Sequence, residues 1–406
     1  MKRAIPYGRQ HITEEDIRAV VDVLKSDYLT QGPVIGAFEK AFAEYVGSEY
    51  AVAVSNGTAA LHLCAMALGL KPGQKVITTP ITFAATANCI RYCGGEVVFS
   101  DIDPETYLLD LDKVRTLLEG APKGTYAGVI PVDFAGRAVN LEQWRSLADE
   151  FGLWIIEDSC HAPGGFFMDS SGQRQQCGNG MFADCAIFSF HPVKHIAAGE
   201  GGMITTNDPN VFERLNLLRT HGITKDAGCL ENPYELAWGH SDCDQSEYPG
   251  WYMEMQELGY NYRLTDFQAA LGLSQLNRAD EGLKRRREIA AVYASTFEGI
   301  SGLLDRNIQA RGENESNGHA HHLYVIEAGN RAGIYRHLRE NGVFAQIHYF
   351  PTHLMPYYRQ LGWKTGDLPF AEAYYKKCIS LPMYPTLTDE EISFVVNVVS
   401  EFHYEN

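Results

Sequence analysis

The stretch Asp184-Cys-Ala-Ile-Phe-Ser-Phe-His-Pro-Val-Lys-His-Ile-Ala-Ala-Gly-Glu-Gly-Gly202 decides how this chain is read. Ala186, Ile187, Phe188 and Phe190 are too apolar for a surface loop, so residues 185–190 read as a short buried strand. A polar break holding His191, Pro192, Lys194 and His195 follows. Gly199, Gly201 and Gly202 then give a tight turn into a second short strand, 203–206. Lys194 is thereby placed between two buried strands, where an ammonium is costly to desolvate unless it is neutralised, paired or used covalently. The alternative is an ordinary surface-loop lysine, and the rest of the chain decides between the two.

The alternation around this stretch sets the fold class. Ala51-Val-Ala-Val-Ser55 is a strand that runs into Asn56-Gly-Thr-Ala-Ala60 and a helix over 61–68. Strand, glycine, threonine, helix is an arrangement that offers backbone N–H groups to an anion, although any helix start shares part of that pattern. Further strands are read at 75–80, 96–100, 128–133 and 154–158, with helices at 111–118 and 141–151. The pattern from 51 to 206 predicts an α/β fold with a mostly parallel sheet and helices on both faces. No G-x-G-x-x-G follows the first strand, so this is not a dinucleotide-binding fingerprint. Phe83 falls at a strand-to-helix junction, either as a core aromatic or as a flat lid where such sheets bind ligands. Asp158 ends its strand, and a carboxylate there calls for a positive partner unless it caps the next helix. His161 lies three residues on.

The flanks carry less chemistry. Residues 4–8 form an extended arm, and Thr13-Glu-Glu-Asp opens a helix in the manner of a capping box. An arm and helix ahead of the first strand are of the kind that packs on a neighbouring subunit. A second amphipathic helix covers 38–45. Residues 226–256 lack periodicity and read as an insertion loop; Thr265-Asp266 then caps a long helix, with Asn261 and Arg263 just before it. Lys284-Arg-Arg-Arg287 reads as a solvated helix face. Beyond about 300, strands at 325–326, 343–348 and 379–381 suggest a separate small sheet, with helices at 331–341 and 389–402, and 312–318 reads as a polar loop. His319, His321 and His322 have a metal-like look but no partner carboxylate at ligand spacing, so no metal is assigned.

Composition bounds the function. The 406 residues suit two domains; 45% hydrophobic and 21% charged residues describe an ordinary globular protein. A net charge of −17 argues against nucleic acid or an anionic membrane as main partner, while leaving room for an anionic small molecule at helix N-termini. Neither a signal core nor a membrane span is visible. The nine cysteines are scattered without a C-x-x-C pair, which points to reduced thiols in the cytoplasm.

Several stretches together resemble one family: Leu29-Thr-Gln-Gly-Pro, Asn56-Gly-Thr-Ala-Ala-Leu, Pro80-Ile-Thr-Phe-Ala-Ala-Thr-Ala-Asn, Glu157-Asp-Ser-Cys-His-Ala, Phe188-Ser-Phe-His-Pro-Val-Lys-His-Ile, Gly199-Glu-Gly-Gly, Gly259-Tyr-Asn-Tyr-Arg-Leu and Gln346-Ile-His-Tyr. They are similar to the sugar-nucleotide aminotransferases of the DegT/DnrJ type, which use pyridoxal 5'-phosphate (PLP) and have the fold-type-I architecture. The resemblance implies a seven-stranded-type sheet in a large cofactor-binding domain over 1–280, arm included, and a small α/β domain over 281–406. It implies that Lys194 is the Schiff-base lysine, serving as base and then acid, and that Asp158 pairs with the pyridine nitrogen. Phe83 would stack on the ring and His161 would lie near the cofactor's phenolic oxygen. Gly57, Thr58, Ala59 and Ser189 would hold the phosphate, joined by Asn261 from the other subunit of a homodimer with shared active sites. Tyr7, Gln31, His348 and Tyr349 match positions near the sugar or its diphosphate. Within the family, the stretches look most like enzymes that use glutamate to aminate a UDP-linked 4-keto-6-deoxy-N-acetylhexosamine on the way to pseudaminic acid. Other readings are a different keto sugar, a dehydratase and a non-catalytic regulator; members that are dehydratases carry histidine where this chain has Lys194.

Overall fold

The computed structural model describes residues 4–239, 247–305 and 317–405. Seven short, mostly apolar segments make the central sheet: β1 Tyr50–Val54, β2 Lys75–Thr78, β3 Glu96–Phe99, β4 Tyr126–Ile130, β5 Trp154–Asp158, β6 Cys185–Ser189 and β7 Gly202–Thr206. Their order across the sheet is β1-β7-β6-β5-β4-β2-β3. β2 to β6 pair in parallel, and β7 runs antiparallel to both neighbours, β1 and β6. Near-continuous apolar runs suit strands covered on both faces. Successive side chains point to opposite faces: Val76, Ile130, Ile156 and Ile187 join the core under the helix Gly57–Ala67, while Ile77, Val129 and Ile155 join the core under Leu141–Phe151. Gly128 is needed in β4 because a Cβ there would lie 2.2 Å from the Trp154 ring.

The helix starts expected from sequence are present. Thr13 and Thr265 each form a capping box at the heads of Glu14–Leu24 and Asp266–Leu276. Pro33 opens the helix Pro33–Val46, which starts earlier than residue 38 because proline fits the first helical position. Phe38 and Phe42 from this helix pack on Phe188 and Phe190, so the aromatic residues of the Lys194 stretch anchor it in the core.

The N-terminal arm begins on its own chain: Ile5–Pro6 pair in parallel with Val343–Phe344, and Ile5 is buried with Ile289, Tyr293 and Phe297. Three sequence expectations are corrected. The strand expected over 343–348 is only these two residues long, because they pair with the arm; a lone bridge between Gln346 and Ser380 is its link to the small sheet of Leu303–Leu304, Tyr324–Ala328 and Cys378–Leu381. The 226–256 segment contains order: Glu254–Met255 pair with Ile223–Thr224, and Tyr234–Trp238 form a helical turn. Residues 240–246 of it lie outside the described residues, as do 312–316 of the expected polar loop, whose Asn317–Gly318 pair with Phe166–Phe167. The third correction is Arg286. It lies on the inner side of the helix Ala279–Phe297 and is 1% exposed, because helical periodicity turns one residue of a basic run inward.

Gly202 ties the site together. It is in register with Val54 at the end of β1 and with Ser189 at the end of β6. A Cβ on Gly202 would lie 2.7 Å from the Asn56 carbonyl. Gly202→Ala should therefore push β7 away from the helix mouth at Gly57, at a cost of about 1–3 kcal/mol. The expected outcome is a lower melting temperature together with weaker PLP retention on dialysis; unchanged retention would show that this approach is unimportant.

Candidate active site

The carboxyl ends of β1, β5 and β6 and the amino end of β7 meet at one cleft. Along β5, Glu157 and Asp158 face opposite sides of the sheet. Asp158 is 5% exposed. Its Oδ2 accepts the Thr86 hydroxyl at 2.7 Å, and its Oδ1 accepts the Cys160 N–H at 3.2 Å. Thr86 in turn meets the Thr82 hydroxyl at 2.8 Å. Each carboxylate oxygen retains a further lone pair, so the group can still accept from a ligand. Thr86 was not singled out from sequence, although two threonines four apart at a helix start could have signalled a paired face.

On the other side of β5, Glu157 lies with Asp133 and Cys177, their donor atoms all within 4.8 Å. Asp133 accepts the Ser159 hydroxyl and the Val139 N–H; Glu157 accepts the Gly178 N–H. Burial raises the Asp133 carboxyl to about 6 and, with the nearby Asp133 charge, raises Glu157 well above the usual range. Two buried carboxyls at this spacing favour one shared proton. Ser159 is thus fixed from beneath, which orients the turn that carries Asp158.

Lys194 follows the buried Phe190. Its N–H donates to the His191 carbonyl, and the Ala198 N–H closes the turn onto the Phe190 carbonyl. The side chain reaches the electrostatic neighbourhood of Cys160, Asp158 and Arg286. Desolvation lowers its pKa against the opposing pull of Cys160 and Asp158, so more free amine is available near neutral pH than for a surface lysine.

His161 is buried beside it. Its Nδ1 accepts the Ala135 N–H at 3.2 Å, so a neutral ring carries its proton on Nε2, 3.2 Å from the Tyr349 hydroxyl. Burial, then the Lys194 charge, holds its pKa well below the usual histidine value. Tyr349 lies near Phe83, with ring centres 6.5 Å apart; Phe83 stays 65% exposed at the strand ends. Tyr7 packs on His348 at 5.2 Å, and His348 is fixed by Ser380 and by Tyr374, whose hydroxyl donates to its carbonyl. Tyr7, Phe83, Asp158, His161, Lys194, His348 and Tyr349 therefore converge.

The Gly57 helix adds the second half of the cleft. A Cβ on Gly57 would lie 3.1 Å from Ser189 Cβ and 3.5 Å from Cys160 Sγ. The Ala59 N–H is donated to Asn56 Oδ1 at 2.8 Å, and Gly57 and Thr58 precede it at the helix mouth. Gln31 and Asn261 lie elsewhere. Tyr262 and Arg263 run along the outer edge of β1, and Asn261 bridges to Thr220. Gln31, Arg219, Thr220 and Arg263 line a cavity of about 250 Å³ on that side. Of the three histidines considered for metal, His319 stacks on His321 at 4.0 Å and accepts its backbone N–H, and His322 lies 4.3 Å from His161.

The donor set fits PLP: a helix mouth for a phosphate, a buried carboxylate for a ring nitrogen, an aromatic face and a partly desolvated lysine. The model of the DegT/DnrJ/EryC1/StrS aminotransferase family matches residues 10–400. The chain belongs to this family. It is 37% identical over 405 residues to the spore coat polysaccharide biosynthesis protein SpsC of Bacillus subtilis, covering 98% of this chain and 96% of SpsC. It is 32% identical over 396 residues to the UDP-4-amino-4,6-dideoxy-N-acetyl-beta-L-altrosamine transaminase of Campylobacter jejuni, covering 96% and 95%. Helicobacter pylori PseC, an aminotransferase involved in pseudoaminic acid biosynthesis, superposes with a TM-score of 0.85 at 29% identity over all of both chains. Spr1654 of Streptococcus pneumoniae in its PLP form gives 0.84 at 27% identity over 99% of each chain. The protein is an aminotransferase with the fold of PLP-dependent aminotransferases, and PLP is its cofactor.

The buried histidines set a pH dependence. His161, His319 and His322 are held well below the usual value, and His321 and His348 at about 3, each chiefly by burial. The unfolded chain takes up these protons below about 6.5 while the folded chain does not. Their contribution to stability is full above about 6.5 and is lost as pH falls toward the folded values. The melting temperature should be level from pH 8 to 7 and fall progressively from 6.5 to 5; a flat profile through pH 5 would contradict this.

Proposed function

We propose that this enzyme moves an amino group from glutamate to C4 of a UDP-linked 4-keto-6-deoxy-N-acetylhexosamine. One observation carries the catalytic part: Lys194 and Asp158 share a single cleft with His161, His348 and Tyr349. The substrate part is supported by the likeness to the Campylobacter transaminase and to Helicobacter PseC.

Bound PLP supplies an aldehyde and an electron-withdrawing ring. Asp158, held in line by Thr86 and the Cys160 N–H, would accept the ring N–H. The Gly57 and Thr58 N–H groups and the Ser189 hydroxyl would bind the phosphate at the positive end of the helix. Phe83 would supply an aromatic face for the ring. The Lys194 amine, kept partly unprotonated by burial, would take the proton from the donor's α-carbon and then serve as the acid. His161 donates toward the Tyr349 hydroxyl, leaving that hydroxyl's own proton free for an oxygen in the cleft. Tyr7 and His348 flank the sugar. Gln31 and Asn261, set on the outer edge of β1, serve the cleft of a second copy, so that a homodimer completes two sites. No described helix is long and apolar enough to cross a membrane, and we place the enzyme in the cytoplasm, where nucleotide sugars are made.

The likeness to SpsC favours a second reading, a different nucleotide keto sugar with the same chemistry. Absorbance and mass spectrometry separate the readings. The purified protein should be yellow, lose that colour with glutamate, and regain it with the UDP-4-keto sugar as an aminated product forms. Lys194→Ala should lose turnover by at least about a thousandfold. Bleaching without sugar amination would redirect the substrate; a deoxygenated product without nitrogen would replace transamination with dehydration.

A further inference from the structure

Two sequence features stand apart from the chemistry above: the basic run at 284–287 and the histidines at 319–322. The structure joins them beneath His161. Arg286 is fully buried, and among the described residues no carboxylate pairs with it. Its Nη1 donates instead to three carbonyls, those of His321 at 3.3 Å, His322 at 3.3 Å and Met383 at 2.9 Å. Burial alone pulls its pKa down to about 9, so the guanidinium remains charged at neutral pH. Charge-assisted bonds to backbone carbonyls are stronger than neutral ones, and removing the donor leaves buried carbonyls unsatisfied.

The segment that Arg286 gathers is bound in turn to the loop after β4. The Ala320 N–H donates to the Gly136 carbonyl at 2.7 Å, and the Leu323 N–H to the Ala135 carbonyl at 3.2 Å. Ala135 is left-handed, with φ 61°, a conformation costly for a residue other than glycine. Gly136 follows with φ 100°, and a Cβ on it would lie 2.8 Å from the His321 nitrogen and 2.9 Å from the His161 carbonyl. This strained turn aims the Ala135 N–H at His161 Nδ1. The His322 ring, on the segment held by Arg286, also packs on the His161 ring at 4.3 Å.

We propose that Arg286 is a positioning residue: by gathering the 321–322 carbonyls it holds the Ala135–Gly136 turn and the His322 ring against His161, and so fixes the His161 tautomer that donates from Nε2 to Tyr349. The helix that carries Arg286 thereby reaches the reaction without touching substrate or cofactor. The inference rests on the placement of His161 in the site, and one of its tests reports on the ring irrespective of the substrate.

That test is nitrogen-15 NMR of histidine-labelled holoenzyme, with His161 assigned through His161→Asn. Wild type should show His161 as a single tautomer, with Nδ1 accepting and Nε2 protonated. Arg286→Ala should average the two tautomers, and guanidinium ion added to that variant should restore the wild-type pattern. In steady-state kinetics, Arg286→Ala should lower kcat by about tenfold or more with a smaller change in KM. That loss should vanish when His161 is already Asn. Arg286→Lys, which keeps the charge but spans fewer carbonyls, serves if the alanine variant does not fold, and should fall between. An unchanged His161 pattern in the Arg286 variants, or losses that multiply in the double variant, would overturn the proposal. Failure of the sugar assignment would leave the NMR result intact.

Discussion

Gly202 sits between the ends of two strands that point the same way, so close to the Asn56 carbonyl that a Cβ would lie 2.7 Å from it. That contact brings together two parts of the chain far apart in sequence: the Gly57 helix mouth, and the segment from Ser189 at the end of β6 to the turn that carries Lys194. A parallel sheet alone would leave β1 and β6 neighbours without a short connection. Inserting β7 antiparallel between them lets the chain leave β6, present Lys194, and return alongside β1 within a dozen residues. A single Cβ at residue 202 would separate these parts. The cleft thus depends on a backbone approach that only glycine permits.

The electrostatics of the cleft follow from burial rather than net charge. The chain carries −17 overall, yet the side chains around Lys194 include Arg286 and several neutral histidines, with Asp158 as the nearby carboxylate. Burial disfavours the charged forms of both the imidazoles and the lysine. The buried Asp133 and Glu157 carboxyls lie on the opposite face of β5, and Asp133 fixes the turn after Asp158 through Ser159. One face of the strand therefore provides the chemistry while the other provides its support.

Much of this was legible in the sequence because local signals were strong. Apolar runs marked β1, β5 and β6, Thr13 and Thr265 marked helix starts, and glycines after Lys194 marked the return strand. Long-range pairing was not legible. Ile5–Pro6 contain nothing that specifies Val343–Phe344 as partner. The inward turn of Arg286 was hidden because three arginines in a row look alike until the helix phase is known. Thr86 and Ala135 escaped notice for a related reason: their contributions lie in a hydroxyl and an N–H aimed across the fold, at Asp158 and His161. Gln31 and Asn261 were recognised by resemblance, and the structure places both near Thr220, apart from the Lys194 cleft.

The central claim is that Lys194 is the amine that holds the cofactor. Borohydride reduction of the yellow protein, followed by peptide mapping, tests it most directly, since reduction makes the link between lysine and PLP permanent. The account expects one modified peptide, carrying the pyridoxyl mass on Lys194. A label on another lysine, or none on a protein that retains PLP, would contradict it.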